Sequence, residues 1–358
     1  MISSFRPNFD ALQSLNASQF QQQLLTWYKV HARQLPWRAS RDPYRVWISE
    51  IMLQQTRVAA VIEHYHEFLR RFPTVEKLAK AREASVLAAW SGLGYYRRAR
   101  MLRAAARVIV REHSGRFPAT AVHLRTLPGV GRYTASAIAS IAFGEAVAVV
   151  DGNVERVLQR ISGKRLMGEQ LWSAANYLLD AKRAGDFNQA MMELGATVCT
   201  PRAPTCSTCP VIEVCATRGE LSSKENSAPA KKRVLHYSLI YRDDTRGGGE
   251  VFLVPRPRGA SLMAGMWELP EIVGQNRTKR ELFTLRHSIT VTNYTVRVWL
   301  GSSSERLDGK WIRNDRLSGI ALTGLAKKIL RNAGIVSDLA STSNGPLRTI
   351  RLKYEKNR

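Results

Sequence analysis

The stretch Leu127-Pro128-Gly129-Val130-Gly131-Arg132-Tyr133-Thr134-Ala135 sits between two segments of helical periodicity, and its reading decides the first half of the chain. Two glycines one residue apart let the backbone turn sharply. They leave N–H groups exposed at the start of the next helix, where the helix dipole favours an anion. A dinucleotide-binding loop is excluded, because the third glycine and the preceding strand are both missing. Two readings stay open: an ordinary turn between helices, or a hairpin gripping a phosphate. On both sides, from about Ser18 to Leu194, apolar residues recur at three- and four-residue spacing, as at Val46, Trp47 and Ile51 or Ile138, Ile141 and Ala142. Breaks fall at Pro36, Pro43, Pro73, Gly92-Leu93-Gly94, 115–118 and Gly144. The pattern predicts an all-α domain over residues 18–216.

Twenty residues past Gly131 the apolar run Ala146-Val147-Ala148-Val149-Val150 ends on Asp151-Gly152-Asn153 and opens another helix. An Asp there is an N-cap, and a capping carboxylate is expected to stay ionised near the helix dipole. Such a group can also stabilise or capture a sugar cation at C1′. Upstream, the segment Val46-Trp47-Ile48-Ser49-Glu50-Ile51-Met52-Leu53-Gln54-Gln55-Thr56 reads as one helix with a single carboxylate among bulky apolar residues. Glu50 is either a charge at the edge of a buried face or an acid whose pKa its surroundings raise.

All four cysteines fall in one loop, spaced C-x6-C-x2-C-x5-C: Cys199, Cys206, Cys209 and Cys215. Clustered thiols in a reducing compartment argue for a metal rather than disulfides. Structural zinc commonly uses two C-x2-C pairs, and only one is present. A [4Fe–4S] cluster held by four thiolates is expected.

The 358 residues carry 54 Lys and Arg against 29 Asp and Glu, a formal net charge of +25. That length suits two domains and a linker. The charge points to a polyanion, and the basic residues run along helical stretches with aromatics among them, as in Tyr95-Tyr96-Arg97-Arg98-Ala99-Arg100. No apolar run approaches the roughly 20 residues that span a bilayer, and there is no polybasic block beside an apolar one. The first thirty residues lack the pattern of a secretory signal. A cytoplasmic, nucleoid-associated monomer without membrane contact is expected.

Beyond the cysteines, residues 217–233 are polar and read as a linker. Short alternating runs then predict strands at Val234–Tyr241, Val251–Val254 and Tyr294–Leu300, with a helix near Gly324–Leu330. A smaller α+β domain over 234–340 and a basic, disordered tail over 341–358 follow.

Hairpin, Asp151 and cysteine loop, in this order, resemble the helix–hairpin–helix superfamily of base-excision DNA glycosylases and its iron–sulfur branch, over roughly Phe20 to Cys215. Endonuclease III-like members carry a lysine as the second residue after G-V-G, where this chain has Tyr133, and a phenol cannot form a Schiff base. The Glu50 segment and Gly92-Leu93-Gly94-Tyr95-Tyr96 resemble the adenine DNA glycosylases of the MutY family. That resemblance implies Glu50 as general acid and Asp151 as the group facing the oxocarbenium ion. It places Tyr133 and Asn153 on the sugar and water side, Gln55 and Tyr95 in the base stack, and Thr56 on the damaged guanine. The hairpin residues Leu127, Gly129, Val130 and Gly131 are implied as DNA contacts.

Several family members have a lysine in the helix after the catalytic Asp, where this chain has Glu155. Gly265-Met266-Trp267-Glu268-Leu269-Pro270-Glu271 resembles the opening of a Nudix box, but Phe283 and Thr284 stand where hydrolysis needs paired glutamates. The second domain is therefore similar to the non-hydrolytic Nudix-like domain of that family. Its lesion-reading Phe-Ser-His loop corresponds here to Ile289-Thr290-Val291, with Thr290 as candidate contact. The resemblance implies double-stranded DNA with A·8-oxoguanine or A·G mispairs as partner. The alternatives are an endonuclease III-like glycosylase/lyase for oxidised pyrimidines and a non-catalytic, redox-sensing DNA-binding protein.

Overall fold

The computed structural model describes residues 15–219, 231–244, 248–257, 259–260, 263–272, 280–289, 292–302 and 307–336. Its chain divides into two compact units, one of residues 1–80 and 101–225 and one of residues 81–100 and 226–358. Among the described residues, no strand precedes Lys231.

The first unit is helical. It holds α1 (Ala17–His31), α2 (Pro43–Leu53), α3 (Val58–Arg71) and α4 (Val75–Lys80), then most of α6 (Arg97–Glu112). It continues through α7 (Ala121–Leu124), α8 (Arg132–Phe143), α9 (Gly152–Ser162), α10 (Glu169–Leu178) and α11 (Ala184–Thr197). Side-chain caps set several starts: Asn16 accepts from Gln19 N, Asp42 from Tyr44 N with Pro43 at the first helical position, and Thr120 from His123 N. Gly144 and Gly163 end α8 and α9 in the left-handed conformation that glycine adopts without a Cβ penalty. One core gathers Phe20, Leu24, Val157, Leu158, Phe187 and Leu194 between α1, α9 and α11. Backbones close in on one another where α9 meets α11. A Cβ on Gly195 would stand 2.6 Å from Asn153 Cβ and 2.9 Å from its carbonyl oxygen.

Inside this unit lies an ion cluster that sequence reading passed over. The Glu193 side chain on α11 is fully buried, and it accepts from Arg33 Nε at 2.7 Å, Arg33 Nη2 at 2.8 Å and Arg38 Nη2 at 2.8 Å. Burial alone would raise its pKa, but the two guanidiniums override it and hold the carboxyl down at about 2. Glu193→Gln is expected to destabilise the fold by about 3–5 kcal/mol, because two arginines lose their counter-charge. The folded pKa lies below the unfolded one. The stabilisation is therefore complete above the ordinary glutamate range and is lost as pH falls towards 2. Urea unfolding at pH 7 and pH 3 checks this: the gap between wild type and variant should narrow at the lower pH.

The second unit contains α5 (Glu83–Ala89) and α12 (Gly324–Asn332) with two sheets. Strands β1 (Lys231–Leu239), β6 (Thr292–Leu300) and β5 (Glu281–Ile289) form one, in that order. The β1–β6 pair is parallel, with Lys231 opposite Thr292 and Leu239 opposite Leu300, while β5 and β6 are antiparallel. The other sheet joins β2 (Tyr241–Asp244), β3 (Gly248–Pro255) and β4 (Trp267–Glu268), with β7 (Lys310–Arg313) also on β3. Val251, Leu253, Val296 and Val298 meet Ala326, Ile329 and Leu330 of α12 in its core.

Several expectations shift. β1 starts at Lys231, inside the expected linker, because its first residues pair with Thr292, Asn293 and Tyr294 whatever their polarity. β4, β5, β7 and, past Tyr241, β2 lie outside the expected strands, and Phe283 and Thr284 lie on β5. α12 runs two residues past Leu330. Thr290, residues 220–230 of the linker and the tail 341–358 lie outside the described residues.

Candidate active site

The helix expected over Val46–Thr56 ends at Leu53. Gln54 to Thr56 turn the chain away before α3 begins, with Gln55 in the left-handed region at φ 55°. Gln54 Nε2 donates to Thr134 Oγ1 on α8 at 3.1 Å and pins this turn to the hairpin helix. Gln55 is exposed and Thr56 partly so. A left-handed backbone at a non-glycine residue costs free energy, and such strain collects at functional sites.

Glu50 is turned fully inward on α2 beside Trp47 and Ile51; the three are 5%, 1% and 4% exposed. The hairpin reaches it from the other side. Gly129 takes φ 75°, and a Cβ there would meet Met101 Cβ at 2.5 Å, so the tight turn admits only glycine. Leu127 and Val130 are buried, while Gly131 is exposed as the N-cap of α8. Tyr133, the second residue of α8, donates its hydroxyl to Glu50 Oε2 at 2.6 Å and lies 3.5 Å from Met192 Sδ.

Burial is the largest influence on Glu50 and raises its carboxyl to about 7. The Tyr133 hydrogen bond and Arg38 oppose that rise, and the charge on Asp151 adds to it. Because Tyr133 occupies Oε2, Oε1 is left to carry a transferable proton. Tyr133 itself is pushed well above the ordinary tyrosine value, by burial first and by both carboxylates next, so it stays a neutral donor.

Asp151 caps α9 as expected: Oδ1 accepts from Asn153 N at 3.0 Å and Val154 N at 2.8 Å. Its Oδ2 accepts from Asn153 Nδ2 at 3.0 Å. Its pKa nevertheless moves up rather than down, because desolvation outweighs these hydrogen bonds. The segment before it is extended chain rather than a strand. Asn176 accepts from Ala148 N and Asn188 from Val149 N, each at 3.1 Å, and Asn188 Nδ2 donates to Val147 O at 2.9 Å.

Two arginines further along α9 join this site to the cysteine loop. Arg156 donates to Asn153 Oδ1 at 2.7 Å, Gly195 O at 2.6 Å and Cys199 O at 2.7 Å. The first of these orients the Asn153 amide so that its NH₂ faces Asp151. Arg160, only 4% exposed, donates to Cys199 Sγ at 3.3 Å and to the carbonyls of Thr200 and Pro201. Sequence reading singled out neither. The available signal was the three-four spacing of Asn153, Arg156 and Arg160 on one helix face.

The four cysteines are half-buried and unpaired. Burial pushes the Cys209 thiol up to about 11, against a hydrogen bond from the Val211 backbone, and all three other cysteines add to the rise. Among the described residues, no three His, Cys, Asp or Glu side chains are arranged to grip a single ion.

Tyr95 belongs to the second unit. It is 48% exposed, and its backbone is left-handed at φ 46°, the same departure seen at Gln55.

Helices, a glycine hairpin and a buried acid come together in the first unit. Residues 48–166 match the HhH-GPD superfamily, described as base excision DNA repair proteins. Among solved structures, a thermostable thymine-DNA glycosylase aligns with a TM-score of 0.54 at 32% identity, covering 56% of this chain and 96% of its own. An endonuclease III–DNA complex aligns at 0.50 and 23% identity, covering 57% and 97%, a likeness of fold.

Similarity to particular family members is closer. An adenine DNA glycosylase of Schizosaccharomyces pombe is 33% identical over 72% of this chain and 70% of its own length. Those of rat and human are 39% and 42% identical over 75% and 71% of this chain. This chain spans 64% and 57% of those two proteins, under two thirds of either. The chain belongs to the adenine DNA glycosylase family.

Proposed function

We propose that this chain is a monofunctional adenine DNA glycosylase that hydrolyses the N-glycosidic bond of adenine mispaired with 8-oxoguanine or guanine. The observation that carries the reading is Glu50, buried, near pKa 7 and hydrogen-bonded by a tyrosine at the hairpin position where a lyase needs lysine. Adenine flipped out of the stack is a poor leaving group until N7 is protonated. Glu50 Oε1 gives that proton. The C1′–N9 bond breaks with its electrons going to the base, and the negative Asp151 stabilises the oxocarbenium ion that remains. Water then adds to C1′ and returns a proton to the Glu50 carboxylate, so the acid is regenerated. Asn153 holds Asp151 in place through its amide. The hairpin, with Leu127 and Val130 packed inward and Gly129 and Gly131 shaping the turn, offers backbone N–H groups to a phosphate. Gln55 and Tyr95 enter the base stack, and Thr56 touches the damaged guanine.

Cys199, Cys206, Cys209 and Cys215 would hold a [4Fe–4S] cluster, which supplies a rigid staple for the loop. Burial keeps the Cys209 thiol protonated on its own, a bound cationic cluster would deprotonate it, and Arg160 Nη1 and the Arg218 N–H already donate to the sulfurs of Cys199 and Cys215. The second unit is read as a Nudix-like lesion-recognition domain, with Thr290 as one contact. The protein acts as a cytoplasmic, nucleoid-associated monomer.

The test uses duplexes carrying A opposite 8-oxoguanine, G, C or T, with and without alkali, and a parallel borohydride trap. Strand breaks are expected opposite 8-oxoguanine and G, only after alkali, with little trapped complex. Efficient trapping by the wild type would point to a lyase instead.

A further inference from the structure

Tyr95 stands on a loop whose backbone is awkward throughout. Gly92, Gly94 and Tyr95 all have positive φ, at 113°, 69° and 46°. Nothing in that conformation is intrinsically stable for a tyrosine, so neighbouring groups must hold it. Arg98, three residues on, does so on both faces of the loop. Its guanidinium lies 5.5 Å from the centroid of the exposed Tyr95 ring and 5.4 Å from that of the buried Trp90 ring. Its Nη2 donates to the carbonyls of Leu93 at 3.0 Å and Gly94 at 3.2 Å. Trp90 Nε1 donates to Gly94 O as well, at 3.1 Å. Burial lowers the Arg98 pKa to about 10, which leaves it charged at neutral pH.

The loop is in turn fastened within its own unit. The hydroxyls of Ser91 and Tyr96 both donate to the Leu322 carbonyl, at 3.3 and 3.1 Å, and Lys327 Nζ donates to Ser91 O at 3.1 Å. Ser91 and Tyr96 are 7% and 3% exposed. A segment that reads in sequence as part of the helical domain is therefore seated on the residues just before α12, 231 and 226 residues further along the chain from Ser91 and Tyr96.

We propose that Arg98 is a positioning residue that fixes the Tyr95 ring for insertion beside the lesion, on a loop anchored by the Leu322 carbonyl. The inference rests on the reading of Tyr95 as a stacking residue. A planar guanidinium can face two rings and bond two carbonyls at once, which an ammonium cannot do. Part of any preference for 8-oxoguanine that the second unit confers would then act through Tyr95 rather than through Thr290 alone.

Full-length protein is titrated with a duplex carrying 2-aminopurine beside 8-oxoguanine, whose fluorescence rises when a wedge in the stack separates it from its neighbouring base. Wild type should give the rise, and Tyr95→Ser and Arg98→Met should each abolish it. Each should also narrow the affinity ratio for A·8-oxoguanine over A·G by about tenfold. The double variant should be no worse than either single one. Arg98→Lys, which keeps the charge but not the fork, should recover part of both signals. A merely structural arginine would not share its losses with Tyr95. If Arg98→Met keeps the rise while Tyr95→Ser loses it, or if the double variant's losses multiply, the inference is overturned and the reading of Tyr95 stands. If Tyr95→Ser keeps the rise, that reading fails and the inference falls with it.

Discussion

Glu50→Gln is expected to lower single-turnover adenine release by about 10²- to 10⁴-fold, the range that loss of a general acid produces. The amide keeps the size of the side chain and can still accept from the Tyr133 hydroxyl, so the duplex should bind as before. It cannot give a proton to N7. The same substitution should stabilise the protein at alkaline pH. The buried carboxyl holds its proton up to about pH 7, while the unfolded chain releases it near 4.5, so wild-type stability falls as pH rises between those values. Above pH 7 that deficit approaches about 3 kcal/mol, and Gln, which never ionises, escapes it. Urea unfolding at pH 8 should therefore show the inactive variant to be the more stable one. Near-normal release by Glu50→Gln would remove this residue from the chemistry.

Asp151→Asn is the second large effect expected, a loss of about 10²- to 10³-fold in the rate of release, typical of removing one electrostatic partner of a transition state. Asn caps a helix about as well as Asp, so bonds to the backbone of Asn153 and Val154 can persist and stability should change little. What disappears is the negative charge facing the oxocarbenium ion. A second consequence separates this variant from simple misfolding. The Asp151 charge helps to raise the Glu50 pKa, so Asn should let the basic limb of the rate profile move to lower pH. Parallel thermal melts and single-turnover assays check both; a variant with full activity would leave the cation unattended by Asp151.

Much of this candidate site is legible in the sequence alone. A lone carboxylate in an apolar helix, Glu50, and an Asp ending an apolar run, Asp151, each carry local signals that do not need the fold. The hairpin glycines and the four cysteines are legible for the same reason. What escaped depends on distance along the chain. Glu193 meets Arg33 and Arg38 across more than 150 residues, and nothing near any of the three marks them as partners. Arg160 reads as surface charge until the loop folds over it. The β1–β6 pairing joins segments about 60 residues apart, and the polar start of β1 hid it. The seating of residues 81–100 in the second unit rests on the Ser91 and Tyr96 hydroxyls, which meet the distant Leu322 carbonyl, and on Lys327 of α12, which reaches back to the Ser91 carbonyl. Even at Asp151 only the cap could be read, since the direction of its pKa depends on desolvation by elements far away in sequence.

The most direct test of the account is the single-turnover rate of adenine release from an A·G duplex as a function of pH. Both carboxyls are raised, and they titrate as a pair, so the profile reports the pair's apparent values. A bell is expected: the rate rises as Asp151 ionises and falls as Glu50 loses its proton near pH 7. A rate that holds level through pH 9 would contradict a mechanism in which Glu50 supplies the proton.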